Sequence, residues 1–82
     1  MHLLSLYSKP GCHLCDVMKD AVRHAIANRP DYALQEVDIS NDAELLRKYE
    51  LEIPVLELDG RKIAKYRISE TELGRALNVP RS

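Results

Sequence analysis

The sequence predicts an α/β domain in which a four-stranded mixed sheet carries three helices, in the order βαβ and then αββα. Three observations lead there. An apolar run, Leu3 to Tyr7, is followed by an amphipathic stretch from Leu14 and by a segment rich in β-formers from Tyr32. Asp59-Gly60 separates two short β-forming runs, and Ser69-Glu70-Thr71-Glu72 introduces a last apolar-periodic stretch. A strand-helix-strand start favours parallel strands joined by a right-handed crossover. A two-residue Asp-Gly loop makes the strands it joins antiparallel, because a type I′ turn needs positive φ at both central residues.

Each element has its own justification. Leu3-Leu4-Ser5-Leu6-Tyr7 is short, mostly apolar and bounded by Ser8-Lys9-Pro10-Gly11, the pattern of a buried strand ending in a turn. From Leu14, the apolar positions Leu14, Met18, Ala21, Val22, Ala25 and Ile26 recur at helical steps, while Asp16, Lys19, Asp20, Arg23 and His24 occupy the other face. That helix ends before Asn28-Arg29-Pro30, since proline restricts the residue before it. Tyr32 to Ile39 mixes β-formers with Gln35, Glu36 and Asp38, which suits a strand with a wet face or a sheet edge. Ser40 or Asn41 is the expected cap of a second helix, with Glu44 three residues after Asn41 and an apolar stripe of Leu45, Leu46 and Tyr49. After Pro54, the strands Val55 to Leu58 and Ile63 to Tyr66 flank the Asp-Gly turn. The last helix starts from the Ser69–Glu72 capping box and carries Leu73, Ala76 and Leu77.

Composition excludes several classes. At 82 residues there is room for one domain, 1–82, with a single core and no repeats or linkers. Lys plus Arg number 12 against 13 Asp plus Glu, so no basic footprint for nucleic acid or an anionic membrane is expected. No apolar run approaches 18 residues and no secretory leader is evident, which leads to the expectation of a soluble, cytoplasmic protein.

The two cysteines, Cys12 and Cys15, sit immediately before the first helical run. They cannot form the multi-bridge framework of a small secreted domain, and a bridge across so short a loop restrains the unfolded chain very little. A redox pair, a zinc half-site and accidental spacing are the three readings. Zinc in a structural site takes four ligands, and only His2, His13 and His24 could supplement the pair. A C-x-x-C beside a βαβ pattern favours redox chemistry.

"YSKPGCHLC", residues 7–15, resembles the glutaredoxin pattern of an aromatic, a small hydroxyl residue, a base, two turn residues and C-x-x-C. "EIPVLELDG", residues 52–60, is similar to the segment in which that family places a cis-proline before a strand and hairpin turn. The resemblance runs over essentially the whole chain and identifies a glutaredoxin-like protein of the thioredoxin-fold superfamily. It implies that Cys12 is the nucleophile, Cys15 the resolving thiol, and Ile53-Pro54 a cis peptide facing substrate, with the Ile53 N–H and C=O free to pair with it. A thiol at a helix N-terminus also meets unpaired N–H groups and the positive end of the helix dipole, which favour thiolate. Lys9 and His13 add nearby donors or charge, and Asp16 opposes them. Tyr7 and Tyr66 read as core or rim aromatics.

The pattern also departs from the family. His13-Leu14 stand where glutaredoxins commonly have Pro-Tyr. Arg67-Ile68-Ser69-Glu70 replaces a Gly-Gly pair, a small residue and an acid, so Glu70 matches the acid while the glycines that admit a ligand to the backbone are missing. Thioredoxins carry Trp in the redox motif and a buried acid in the first strand; this chain has no Trp, and Leu6 takes the acid's place.

The expected function is thiol-disulfide oxidoreduction through Cys12-His13-Leu14-Cys15, acting on protein or glutathione-mixed disulfides in electron transport. Lys9, His13, Ile53, Pro54 and Glu70 are the expected substrate contacts. No metal or resident cofactor is expected. The partners are a disulfide-bearing protein or glutathione as co-substrate, plus a recycling reductase, with the protein a monomer. The alternatives are an iron-sulfur or metal-carrying glutaredoxin-like module and a non-catalytic binding domain that offers a strand edge and the Pro54 groove.

Overall fold

A computed structural model describes residues 1–78. In chain order the elements are β1 (His2–Ser8), α1 (His13–Ile26), β2 (Tyr32–Asp38), a short 3₁₀ turn (Ile39–Asn41), α2 (Ala43–Tyr49), β3 (Val55–Leu58), β4 (Arg61–Lys65) and α3 (Glu70–Asn78). The sheet order is β2-β1-β3-β4, with β1 and β2 parallel and the other two pairings antiparallel. This is the four-stranded mixed sheet with three helices that the sequence predicts, and it is a thioredoxin-like fold.

The apolar reading of β1 follows from its place. Flanked by β2 and β3, it is buried on both faces, and Leu4, Ser5, Leu6 and Ser8 are all buried. Alternation then assigns the faces. Leu4 and Leu6 join Leu56, Met18 and Val22 of α1 and Leu73 and Leu77 of α3 in the larger core cluster. Tyr7 and Val55 point to the opposite side, where Tyr49, Leu45 and Leu46 of α2 and Ile39 pack with Ile53. Thus α1 and α3 cover one face and α2 the other. Leu6 is fully enclosed in this core, so the strand position where thioredoxins place an acid is apolar here.

β2 is a sheet edge, as its mixed composition predicts. It stops one residue early. Asp38 accepts from the backbone N–H and hydroxyl of Ser40 at 2.9 and 2.6 Å, which turns Ile39 out of the strand into the 3₁₀ turn, where it is buried. Consequently Ser40 and Asn41 do not cap α2. Asp42 does, accepting from the N–H groups of Glu44 and Leu45 at 2.9 and 3.1 Å. The hairpin turn has positive φ at both centres, Asp59 at 51° and Gly60 at 87°. β4 begins directly after it at Arg61 and ends at Lys65, earlier at both ends than its apolar residues suggest. Its register shifts between Leu56 and Glu57, whose partners Ala64 and Lys62 leave Ile63 as an extra residue. The Ser69–Glu72 box is reciprocal: Ser69 N–H donates to the Glu72 carboxylate and Glu72 N–H to the Ser69 hydroxyl, each at 3.1 Å. No helix among the described residues is long and apolar enough to cross a membrane.

Candidate functional site

β1 delivers the chain to a tight turn at Ser8-Lys9-Pro10-Gly11. Gly11 has φ 80°, a left-handed conformation that glycine adopts without a Cβ clash. The turn sets Cys12 at the N-cap of α1, with extended backbone and its Sγ accepting from the Cys15 N–H at 3.1 Å. Cys12 therefore takes the place usually held by a capping Ser or Asp, and its sulfur faces the first turn's unpaired N–H groups. Three residues on, Cys15 lies on the buried face of the helix at 2% exposure, whereas Cys12 is partly exposed. The two are joined by a disulfide with Cα atoms 5.2 Å apart. The pair is thus asymmetric: one sulfur at the surface in a donor-rich field, its partner covered one turn deeper.

Sheet register brings the second segment alongside. Val55 pairs with Tyr7, so Pro54 lies at the end of the sheet where β1 turns toward Cys12. Ile53-Pro54 is cis, as the resemblance implies, and Pro54 is buried. The loop before it is held from within. The Tyr49 carbonyl accepts from both Glu52 N–H at 2.8 Å and Ile53 N–H at 3.0 Å. This differs from the expectation for Ile53: its donor is spent inside the loop, because α2 ends there with carbonyls in need of partners.

A third segment, after β4, closes the arrangement. Tyr66 N–H donates to the Pro54 carbonyl at 2.8 Å, and Arg67 N–H folds back to the Lys65 carbonyl at 2.8 Å, a three-residue turn centred on Tyr66. Tyr66 has φ 69°, a conformation that costs a residue with a side chain about 1 kcal/mol or more. Its hydroxyl donates to the Leu51 carbonyl at 3.1 Å, and the Lys65 ammonium lies 5.6 Å from its ring centroid. Tyr66, Arg67 and Ile68 line a small groove together with Leu14, Val17, Met18 and Ala21 of α1.

Beneath the loop, on the α2 face of the sheet, Glu57 accepts from two tyrosine hydroxyls, Tyr7 at 3.3 Å and Tyr49 at 2.9 Å. Their rings stack with centroids 4.6 Å apart. Burial, then the Glu57 carboxylate and the neighbouring Tyr49, hold the Tyr7 hydroxyl's pKa above its ordinary value. Glu57 of β3 thereby ties the strand that leads to Cys12 to the helix end that leads to Pro54.

The sequence-derived candidates divide by position. Cys12, Cys15, Ile53 and Pro54 lie on segments that converge at one end of the sheet. Lys9 and His13 flank Cys12 and are exposed. Glu70, the first residue of α3, lines a different recess of about 250 Å³ between α1 and α3, together with Ala21, His24 and Arg29. The sequence marks Tyr66 as a core or rim aromatic and does not single out Leu14, Val17 or Glu57 as site residues. A tyrosine in a left-handed conformation leaves no sequence signal, since that backbone region is read from Gly and Asn. The three residues Leu14, Val17 and Ala21 did carry one, as a stripe that is apolar at helical spacing right beside the cysteines.

Cys12 and Cys15 are the only cysteines of the chain, and no group of three His, Cys, Asp or Glu side chains clusters among the described residues. Two thiolates are half of what an iron-sulfur cluster or structural zinc takes, so such a group would need further ligands from a second copy or an external thiol.

The comparisons with known proteins agree with this geometry. The family model described as Glutaredoxin-like domain (DUF836) matches residues 3–78. A protein of Dictyostelium discoideum named Glutaredoxin-like protein YDR286C homolog is 30% identical over 77 residues, covering 85% of this chain and 69% of that one. The crystal structure of XcR50 from X. campestris superposes with a TM-score of 0.70 at 32% identity, covering 95% of this chain and 99% of that one. Mitochondrial thioredoxin 3 of Saccharomyces cerevisiae, in its oxidized form, shares the fold at a TM-score of 0.65 and 22% identity, over 92% of this chain and 74% of that one. With a C-x-x-C pair at the head of α1, a proline loop beside it and a family match over nearly all of the described residues, the chain belongs to the glutaredoxin-like domain family.

Proposed function

We propose that the domain is a dithiol reductant of disulfides, with Cys12 as the attacking thiol and Cys15 as the resolving one. The observation that carries this reading is the asymmetry of the pair: Cys12 partly exposed at the N-cap of α1, and Cys15 bonded to it from a buried position in the same helix turn. In the reduced protein, the Cys12 thiolate attacks one sulfur of a substrate disulfide and expels the other as a thiolate. Cys15, after losing its proton, then attacks the Cys12 sulfur, forms the Cys12–Cys15 disulfide and releases the second substrate thiol. Two electrons and two protons pass from the pair to the substrate. Recycling needs an external thiol, glutathione or the dithiol of a reductase, and a reducing compartment such as the cytoplasm suits that cycle.

The chain's other residues then take auxiliary roles. Lys9 and His13, exposed on either side of Cys12, supply donors to a substrate's backbone or carboxylate. The Ile53 carbonyl and the Pro54 ring form the wall against which an extended chain lies. Glu70 faces the recess between α1 and α3 and serves a remote part of a larger partner. The test is a single-turnover assay of prereduced protein against a glutathione mixed disulfide and a protein disulfide, with wild type, Cys12→Ser and Cys15→Ser. The expected result is that Cys12→Ser reduces neither substrate, while Cys15→Ser accumulates a mixed disulfide on Cys12. Equal adducts on both variants would refute the assignment.

A further inference from the structure

We infer that Tyr66 is a specificity-determining residue of the redox site, selecting disulfides whose cysteine is flanked by a large apolar side chain. The inference rests on the oxidoreductase reading and goes beyond it in naming the kind of substrate.

Tyr66 occupies a backbone conformation that side chains rarely adopt, φ 69°, in a turn where glycine would sit without strain. A bulky residue held in such a place points to work done by its side chain. That side chain is not tucked away: Tyr66 remains 44% exposed, although its hydroxyl is anchored on the Leu51 carbonyl and its N–H on Pro54. Both anchors tie Tyr66 to the loop around Pro54 and leave it open to solvent. Across from it, Leu14 and Val17 of α1 are 41% and 51% exposed, an unusual pair of open apolar side chains on an otherwise polar helix surface. Between these walls lies a dent of about 40 Å³, floored by Met18 and Ile68. It touches both halves of the candidate site, since Leu14 lies between the two cysteines and Tyr66 is bonded to Pro54.

The lining selects the occupant. Leu14, Val17, Met18 and Ile68 make the dent mostly apolar, so it suits an apolar side chain rather than a charged or strongly polar one. A polypeptide lying along Pro54 with its cysteine at Cys12 would set a neighbouring side chain there. Leucine fits that role, while glycine leaves the walls unfilled.

The experiment uses two synthetic peptides, each closed by one disulfide and alike except that leucine or glycine adjoins each cysteine. Prereduced, desalted protein reduces them in a single turnover, with Cys12 and Cys15 oxidised to their disulfide. Each rate constant is divided by that of dithiothreitol for the same peptide, which removes intrinsic reactivity. Wild type is expected to prefer the leucine peptide about five-fold, the size of one partly buried side chain. Tyr66→Phe, which keeps the ring, retains the preference. Tyr66→Gly, which suits the backbone and removes the ring, lowers it below about two-fold. Val17→Ser on the opposite wall, an exposed position, lowers it in the same direction and serves should Tyr66→Gly fail to fold. If both peptides are reduced but wild type shows no preference, or the preference survives Tyr66→Gly, or survives Val17→Ser where Tyr66→Gly does not fold, the inference falls and the oxidoreductase reading stands. If wild type reduces neither peptide, both fall together.

Discussion

Cys12 and Cys15 are one helical turn apart, yet their surroundings differ enough to separate their chemistry. Cys12 has the capping position, solvent access and the first-turn N–H groups; Cys15 has the core. Thiolate is the reactive form, and a helix N-terminus stabilises it, so the difference shows in alkylation kinetics. In fully reduced protein near neutral pH, iodoacetamide is expected to label Cys12 on the order of ten times faster than Cys15. Mass-spectrometric mapping of the labelled peptides checks this, and faster labelling of Cys15 would reverse the roles. Lys9 and His13 were legible as neighbours of Cys12 because adjacency in the chain guarantees it. Tyr66 was not, since nothing in residues 65–67 announces a turn that carries a tyrosine at positive φ.

Helix termini are where local sequence rules met their strongest competition. The Ser69–Glu72 box forms as the sequence suggests because both partners lie in one exposed turn. The N–H and hydroxyl of Ser69 hold the Glu72 carboxyl below its ordinary pKa. A carboxylate with a lowered folded pKa stabilises above its unfolded pKa, about 4.3, and loses that contribution as pH falls through the folded value. Wild type is therefore expected to melt above Glu72→Gln at pH 7, with the gap narrowing as the pH falls below the ordinary carboxylate range. Thermal melts by circular dichroism at both pH values test this; a gap independent of pH would show that the charge is immaterial. At α2 the sequence pattern pointed to Ser40 or Asn41, but Asp42 was the better acceptor for Glu44 and Leu45, and Asp38 had already captured Ser40.

In the whole molecule, a small core has to hold two faces of the sheet at once. The α1–α3 side is built on Leu4, Leu6, Leu56, Met18, Val22, Leu73 and Leu77, and every one of these except Val22 and Met18 comes from leucine. Leu56, fully buried in the middle of β3, touches the strand that leads to Cys12 on one side and β4 on the other. Leu56→Ala is expected to cost about 2–5 kcal/mol, a large part of the total for a domain of this size. Urea unfolding followed by fluorescence or circular dichroism measures it; a loss below about 1 kcal/mol would mean that the site collapses freely around the missing atoms. On the other face, Tyr7, Tyr49 and Glu57 replace part of an apolar core with a stacked pair sharing one carboxylate. That network joins β1, α2 and β3 below the redox segments.

The order of elements, the edge character of β2, the Asp59-Gly60 hairpin, the last capping box and the position of the cysteines at a helix start were all legible from the chain, for one reason: each depends on residues a few positions apart. Hydrophobic period, turn chemistry and caps are short-range properties, and they survive folding when no distant group competes for the same partner. The register that sets Val55 against Tyr7, and so brings Pro54 beside the turn into Cys12, is a long-range result of burying both sheet faces together. The internal use of the Ile53 N–H by Tyr49, the pairing of Tyr66 with Pro54 and the sharing of Glu57 by two tyrosines belong to the same class. They join residues whose proximity exists only after the sheet has closed, because hydrogen-bonding groups brought into a buried loop must find whichever partner the packing supplies.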